Sequence, residues 1–432
     1  MSGFSRREFG KLFGAAGAAT IASTGYGRFA IAQGAGRVVI IGGGAGGATV
    51  AHYLKKGSPK LDVTLVEPNK QYTTCFFSNL YLGGFRTYES LVHGYDGLAK
   101  LGVKVVHELA TAVDTTKKTV RLSGGRSLAY DNLVLSPGID FKWESVPGYS
   151  AEVAEKLPHA YKAGPQTRLL KRQLDAMPDG GVVVMVNPPA PYRCPPGPYE
   201  RMCMIAHHIK TKKPKSKLVV LDPKKELISK GPVFKEAFEG IYKDIIELNL
   251  SNDIDSHAIA KLNAKTMEIE TKAGKKVKAA VANIIPAQRA GDIAAKAGVT
   301  EGDWCPVNGE DFSSKKAKDV YVLGDASIAA EMPKSAFSAN SQAKVVANAI
   351  EASLAGKQKF PPRYRNTCWS MLAPDNSVKV GANYKPDQGK LAPAEGFVSK
   401  PGEDAALRKQ TFEESLGWYS GIVSDIFAKK VS

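Results

Sequence analysis

Five cysteines stand in the 432-residue chain, Cys75, Cys194, Cys203, Cys305 and Cys368, and no two are spaced as C-x-x-C. That excludes the commonest zinc spacing, a thioredoxin-type dithiol and attachment of a c-type haem, which needs C-x-x-C-H. No metal site is expected. A lone cysteine still offers a soft nucleophile whose reactivity follows its thiolate fraction, against the plainer role of a small buried apolar residue. Two cysteines have unusual settings. Cys75 lies in Gln71-Tyr72-Thr73-Thr74-Cys75-Phe76, and Cys194 in Arg193-Cys194-Pro195-Pro196-Gly197-Pro198-Tyr199-Glu200-Arg201. Glu200, six residues after Cys194, becomes a proton shuttle if burial raises its pKa. Its plainer reading is an acid in the first turn of a helix, where the dipole favours it.

The glycines carry a second chemistry. Gly42, Gly44 and Gly47 form G-x-G-x-x-G directly after the apolar run Val38-Val39-Ile40-Ile41, and Glu67 follows Gly47 by twenty residues. The first glycine permits a tight turn, the second lets backbone approach a pyrophosphate, the third allows close helix packing, and the acid accepts from ribose hydroxyls. Strand, glycine loop, helix, strand and acid together predict dinucleotide binding. FAD rather than NAD is implied by a resemblance to two-dinucleotide flavoproteins: Ser136-Pro137-Gly138 at one strand end is similar to their middle motif, and Gly324-Asp325 at another to the carboxylate beside their ribityl and phosphate oxygens. The helix that begins near Lys334-Ser335 would turn its positive end toward the flavin.

These residues need a scaffold, and the hydrophobic pattern supplies one. Apolar runs at Asp62–Val66, Val103–His107, Thr119–Leu122, Asn132–Leu135, Val182–Val186 and Lys217–Leu221 read as strands, the fully apolar ones as buried and parallel. The order strand, loop, helix, strand, acid occurs twice, the second time ending at Asp222. In the second copy the loop is Asn187-Pro188-Pro189-Ala190-Pro191. Prolines lack the amide hydrogens that cradle phosphate, so NAD(P)H is not an expected partner. The fold class is α/β, with two dinucleotide-binding, Rossmann-like domains of the disulfide-oxidoreductase type and a small C-terminal domain. The expected divisions are 36–148 and 286–360 for the FAD domain, 149–285 for the degenerate NAD-like domain, and 361–432 for a C-terminal interface domain. The stretch from Lys385 to Pro393 reads as an irregular loop.

Residues 1–32 read as a twin-arginine signal peptide: Arg6-Arg7, a mild Ala/Gly-rich run, then Ala30-Ile31-Ala32. That predicts a periplasmic protein in an oxidising compartment, where disulfides persist. The chain carries +17; the leader holds four basic residues and one acidic, so +14 remains without it. The lysines are scattered rather than interleaved with aromatics, which argues against nucleic acid. No apolar stretch is long enough for a membrane span.

At the cysteines the sequence resembles a known family. YTTCFFSN, RCPPGPYER, WCPV, GDASIAAEMPKS, SANSQAK and NTCWS resemble the flavoprotein subunit of flavocytochrome c sulfide dehydrogenase, from about Gly36 to the C-terminal helix. The resemblance implies FAD bonded through Cys75 to the flavin 8α position, and a redox-active disulfide between Cys194 and Cys368. It further implies Glu200 as the acid near that disulfide and Trp418 near the flavin. Sulfide is then the substrate, Cys368 the sulfur facing the flavin, and a cytochrome c subunit the electron acceptor. Cys203 and Cys305 receive no role. The sulfide:quinone oxidoreductases resemble the chain more distantly and give the alternative of a quinone acceptor. Docking on a membrane would then use Leu416, Tyr419, Ile422, Val423 and Ile426, an apolar stripe at helical spacing that is expected to pack inward. A third alternative is an electron-transfer partner without a substrate of its own.

Overall fold

Every residue of Val38–Ile41 is buried, because this run is the middle strand of a parallel sheet covered on both faces. The computed structural model describes residues 36–252 and 256–429; the leader lies outside them. The sheet has the order Val320–Val322, Asn132–Leu135, Arg37–Ile41, Asp62–Val66, Lys104–Val106, all parallel. Helix Ala45–Gly57 follows the first strand and packs on the long helix Ala336–Ala355. Parallel strands end on one side, so Ile41, Val66, Leu135 and Val322 open onto a single crevice.

A second parallel sheet, Ile246–Leu250, Lys217–Asp222, Val182–Val186, Val281–Ile284, repeats the design. Each sheet has its own three-stranded antiparallel meander, Ala110–Asp114 to Ser127–Ala129 in one and Ile259–Asn263 to Lys276–Lys278 in the other. The two folds are tied by an antiparallel pair, Ile139–Lys142 against Ala287–Ala290, close to the divisions expected at 148/149 and 285/286.

The C-terminal unit is a three-stranded antiparallel sheet, Tyr364–Ala373, Asn376–Asp387 and Lys390–Val398, then helix Ala405–Phe427. The irregular loop expected from Lys385 to Pro393 is instead the tip of a hairpin, with Asp387 opposite Lys390. The turn residues Gln388 and Gly389 both have positive φ, 47° and 75°, the geometry that matches the twist of paired strands. Pro393 falls where the register shifts, between Asn383 and Tyr384, a position at which a proline costs no ladder bond. On the last helix Tyr419, Ile422, Val423 and Ile426 are buried, while Leu416 is 39% exposed.

Candidate active site

The glycine loop closes on itself too tightly for side chains. Gly42 has φ +103°, and a Cβ there would sit 2.3 Å from the Ser136 carbonyl oxygen; at Gly47 it would sit 2.0 Å from the Gly42 carbonyl oxygen. Glu67 is buried at the end of its strand. One carboxylate oxygen accepts from the Gly43 N–H at 2.9 Å, the other from the Asn69 backbone and side chain at 3.0 and 2.8 Å. Beside it opens a cavity of ≈560 Å³ whose lining includes Gly42, Gly44, Glu67, Gly138, Gly324 and Asp325. Burial raises the pKa of Asp325, and the Arg193 guanidinium, 3.7 Å away, opposes that rise. Gly47 lies behind the lining, where it sets the helix against the strand.

A second, smaller cavity of ≈90 Å³ is lined by Cys75, Cys194, Glu200, Cys368, Trp369 and Trp418 among others. The two cavities share Cys75, Arg193, Ser335 and Ala336. Cys75 therefore stands at the junction, with Cys194 and Cys368, 174 positions apart in sequence, opening into the same small space.

Local structure explains each placement. Cys194 has φ 57°, left-handed for a residue other than glycine, a conformation kept only where its surroundings impose it. Its N–H donates to the Lys334 carbonyl at 2.7 Å, and its carbonyl accepts from the Gly197 N–H at 2.7 Å. The sulfur is thereby laid against the first turn of helix Gly197–Lys212; a Cβ at Gly197 would come within 3.1 Å of it. Cys368 stands on strand Tyr364–Ala373, with Asn366 Nδ2 3.4 Å from its sulfur. Both residues are free thiols in the structure, and burial raises the pKa of each.

Glu200 sits in the first turn of the same helix as the sequence suggested. Its oxygens accept from Asn79 Nδ2 at 2.8 Å and from the Met371 N–H at 2.9 Å. Burial raises its pKa, with those bonds and the cations Lys230 and Arg201 pulling the other way. Trp418 packs its ring 5.1 Å from Trp369 and 5.7 Å from Phe76. The buried indole N–H groups of both tryptophans have no partner.

Lys334 lies apart. Its ammonium donates to the carbonyls of Asp325 and Ser327 at 2.8 and 2.7 Å and rests 3.8 Å from the Trp304 ring centre, and it lines neither cavity. Ser335, the next residue, caps helix Ala336–Ala355, and it is this capped terminus that faces both cavities. Cys203 and Cys305 are buried away from both. Among the described residues no group of three or more metal-ligating side chains is gathered. Two functional candidates escaped the sequence reading, Arg193 and Lys230. Arg193 adjoins Cys194, a signal that was available; Lys230 has no motif around it.

Comparison with known proteins decides the family. The family "Sulfide dehydrogenase [flavocytochrome c] flavoprotein chain, central" matches residues 167–286, and "Flavocytochrome c sulphide dehydrogenase, flavin-binding" matches residues 360–427. The sulfide dehydrogenase flavoprotein chain of Chlorobaculum thiosulfatiphilum is 58% identical over 43 residues, 10% of this chain and 90% of that one. The chain belongs to the flavocytochrome c sulfide dehydrogenase flavoprotein family. With the family goes the class, an FAD-binding, sulfide-oxidising flavoprotein. Residues 36–177 also match the pyridine nucleotide-disulphide oxidoreductase family. The mouse mitochondrial sulfide:quinone oxidoreductase is 23% identical over 299 residues, 67% of this chain and 65% of its own length. In fold, the chain resembles the sulfide:quinone oxidoreductase of Aquifex aeolicus, with TM-score 0.68 at 19% identity over 92% of this chain and 93% of that one. The flavin-binding family match spans both Cys368 and Trp418, so the smaller cavity draws its lining from all three parts of the chain.

The residues present suit FAD. The glycine loop leaves bare backbone toward the larger cavity, Glu67 is positioned at a strand end to receive ribose hydroxyls, and the unpartnered Trp369 and Trp418 N–H groups lie beside the junction.

Proposed function

We propose that this chain oxidises sulfide at a Cys194–Cys368 disulfide, carries FAD on the Cys75 sulfur, and passes electrons to a separate cytochrome c subunit in the periplasm. The observation that carries this reading is the meeting of two cavities at Cys75, a glycine-cradled crevice on one side and a chamber holding two distant cysteines on the other. Hydrosulfide attacks the Cys194 sulfur of the disulfide. The Cys194–Cys368 bond breaks, a new sulfur–sulfur bond forms, and the products are a persulfide on Cys194 and a thiolate on Cys368. The negative charge that enters with HS⁻ thus ends on Cys368. Glu200, with its raised pKa, accepts and returns the persulfide proton. Gly42, Gly44 and Glu67 hold the dinucleotide, and Arg193 sets a fixed positive charge between Cys75 and Asp325. FAD, when bound, supplies a two-electron acceptor that hands electrons on singly.

Export by the twin-arginine route rests on Arg6-Arg7 and Ala30-Ile31-Ala32. A protein acceptor is favoured over a membrane quinone because the apolar stripe of helix Ala405–Phe427 is mostly buried. No described helix is long and apolar enough to cross a membrane. The similarity to sulfide:quinone oxidoreductases keeps a quinone acceptor as the second reading. The test is sulfide-dependent reduction of added cytochrome c and of a soluble quinone in parallel. Cytochrome reduction alone is expected; quinone reduction without cytochrome reduction would replace this reading by the second. Acid precipitation of the protein should give a yellow pellet, and Cys75→Ala should release the colour to the supernatant.

A further inference from the structure

Among the described residues, Lys230 is a buried cation with no carboxylate in ion-pair contact. It is 6% exposed, held in a left-handed conformation with φ 53° at the start of helix Gly231–Glu239. Its ammonium donates to the Cys368 carbonyl at 3.0 Å and to Ser370 Oγ at 2.7 Å, with the Val378 carbonyl at 3.5 Å. These acceptors satisfy its protons but are neutral, and the carboxylate of Glu200 acts on its charge only from beyond ion-pair distance. A buried charge without a counterion is costly. Here the cost falls beside the chamber into which the proposed reaction brings one negative charge.

We propose that Lys230 is the positioning residue for the sulfur of Cys368, gripping the strand at that residue's own carbonyl and balancing the thiolate left when the disulfide opens. The inference rests on the assignment of Cys194 and Cys368 as the reactive pair. It explains an asymmetry between the two sulfurs. Cys194 lies against the first turn of a helix, whose partial positive charge favours a sulfur anion there. Cys368, in mid-strand, has no such terminus, and Lys230 supplies a full charge in its place. The groups facing the ammonium are Cys368 on its strand, Glu200 and Cys203 on helix Gly197–Lys212, and Cys194 just before that helix. Burial lowers the lysine pKa to about 8, so it stays protonated at neutral pH. Its charge in turn draws the Cys368 thiol down against the upward push of burial.

The experiment uses the flavin-loaded protein with its disulfide reduced. Alkylation of Cys368 by iodoacetamide, followed by peptide mass, is measured across pH for wild type, Lys230→Met, Lys230→Gln and Lys230→Arg. At pH 7, where the lysine is charged, loss of the cation should slow alkylation roughly tenfold, the equivalent of about one unit in the thiol's pKa. Lys230→Arg should stay near wild type. Lys230→Gln keeps a side-chain donor and serves if Lys230→Met does not fold. Sulfide-dependent bleaching of the flavin should fall about tenfold in both neutral variants, again following the one-unit shift. An unchanged alkylation rate at pH 7 in a folded neutral variant overturns the role of Lys230. Cys368→Ser tests the underlying assignment separately: bleaching by sulfide at the wild-type rate in that variant would remove the reactive pair, whatever the lysine does.

Discussion

Two copies of one fold lie in this chain, and they spend the same parts on opposite ends. In the first, the loop after Arg37–Ile41 is glycine, and the strand-end acid Glu67 borders an open crevice. In the second, the loop after Val182–Val186 is proline-rich, and the corresponding acid, Asp222, is fully buried. Asp222 accepts from Asn187 Nδ2 at 2.8 Å and from the Lys224 backbone at 3.0 Å, and pairs with the Lys224 ammonium at 2.7 Å. That ammonium also donates to the Pro188 carbonyl at 2.8 Å and lies 5.1 Å from the Tyr192 ring centre. A dinucleotide would find this acid shut inside the protein and paired with an ammonium, where Glu67 faces open space. The second loop still contributes, since it carries Arg193 to the first crevice and Cys194 to the smaller chamber beside it. One architecture thus borders an open crevice or supports a cysteine at a neighbouring cavity according to what the loop is made of.

The largest expected effect tests the first copy. Gly47→Val forces a side chain into the 2.0 Å approach of the Gly42 carbonyl, where backbone rather than a flexible side chain would have to move. The purified variant should contain no flavin by absorbance near 450 nm, a wavelength typical of bound flavins. A yellow, fully loaded variant would show that the loop tolerates widening and is not the cradle.

Next in size is Cys194→Ser, which removes what the second copy contributes. Flavin content should remain as in wild type, because the glycine loop and Cys75 are untouched. Sulfide-dependent flavin reduction, followed by stopped flow, should fall by about three orders of magnitude, the scale on which loss of a nucleophile acts. A drop below tenfold would mean that the proline-rich loop has no part in the chemistry.

Removing the Lys224 plug should have a smaller and purely structural consequence. Lys224→Met strands the Asp222 carboxylate in the interior, and breaking one side of a buried pair costs about 3 kcal/mol. Denaturant unfolding should register that loss while flavin content and sulfide oxidation of the native protein stay unchanged. An equal loss of flavin would mean that the two copies are coupled more tightly than their separate sheets suggest.

How much of this was legible in the residues depended on how local the determinants were. Asp62–Val66, Thr119–Leu122, Asn132–Leu135 and Val182–Val186 run as strands with the ends expected for them, because each is rich in aliphatic and β-branched residues and gives way to a polar one. The pairing of Ile139–Lys142 with Ala287–Ala290 was not readable, being four residues long and about 150 positions apart. The C-terminal hairpin was hidden by an edge strand that is interrupted by Pro393 and Gly396 and exposed over most of its length. In the site, Gly42, Gly44, Glu67, Gly138, Gly324 and Asp325 carry spacing signals and do gather at one cavity. Lys230 carries none: its significance is a hydrogen bond to a strand 138 residues later. The helix start near Lys334 was foreseen, but the direction of its side chain was set by the carbonyls of Asp325 and Ser327 and by the Trp304 ring, contacts that no local pattern encodes.

The smallest expected effect is none at all, and it bears most directly on the contrast between the copies. NADH or NADPH, added anaerobically in stoichiometric amount, should leave the oxidised flavin spectrum unchanged over the time in which sulfide bleaches it. The argument has two independent parts. Pro188, Pro189 and Pro191 offer no amide hydrogens to a pyrophosphate, so the loop lacks the donors that a dinucleotide needs. Asp222, the acid that would receive ribose hydroxyls, is fully buried and neutralised by the Lys224 ammonium, whereas Glu67 borders an open crevice. Either defect alone weakens binding; together they leave neither end of the nucleotide a partner. Bleaching by NADH at a rate near that of sulfide would mean that the second copy still binds its ancestral type of ligand by contacts other than these. Lys224→Met should not create the activity either, because it frees the acid and leaves the prolines in place. Bleaching that appeared only in that variant would show that the plug, rather than the loop, is what keeps the nucleotide out.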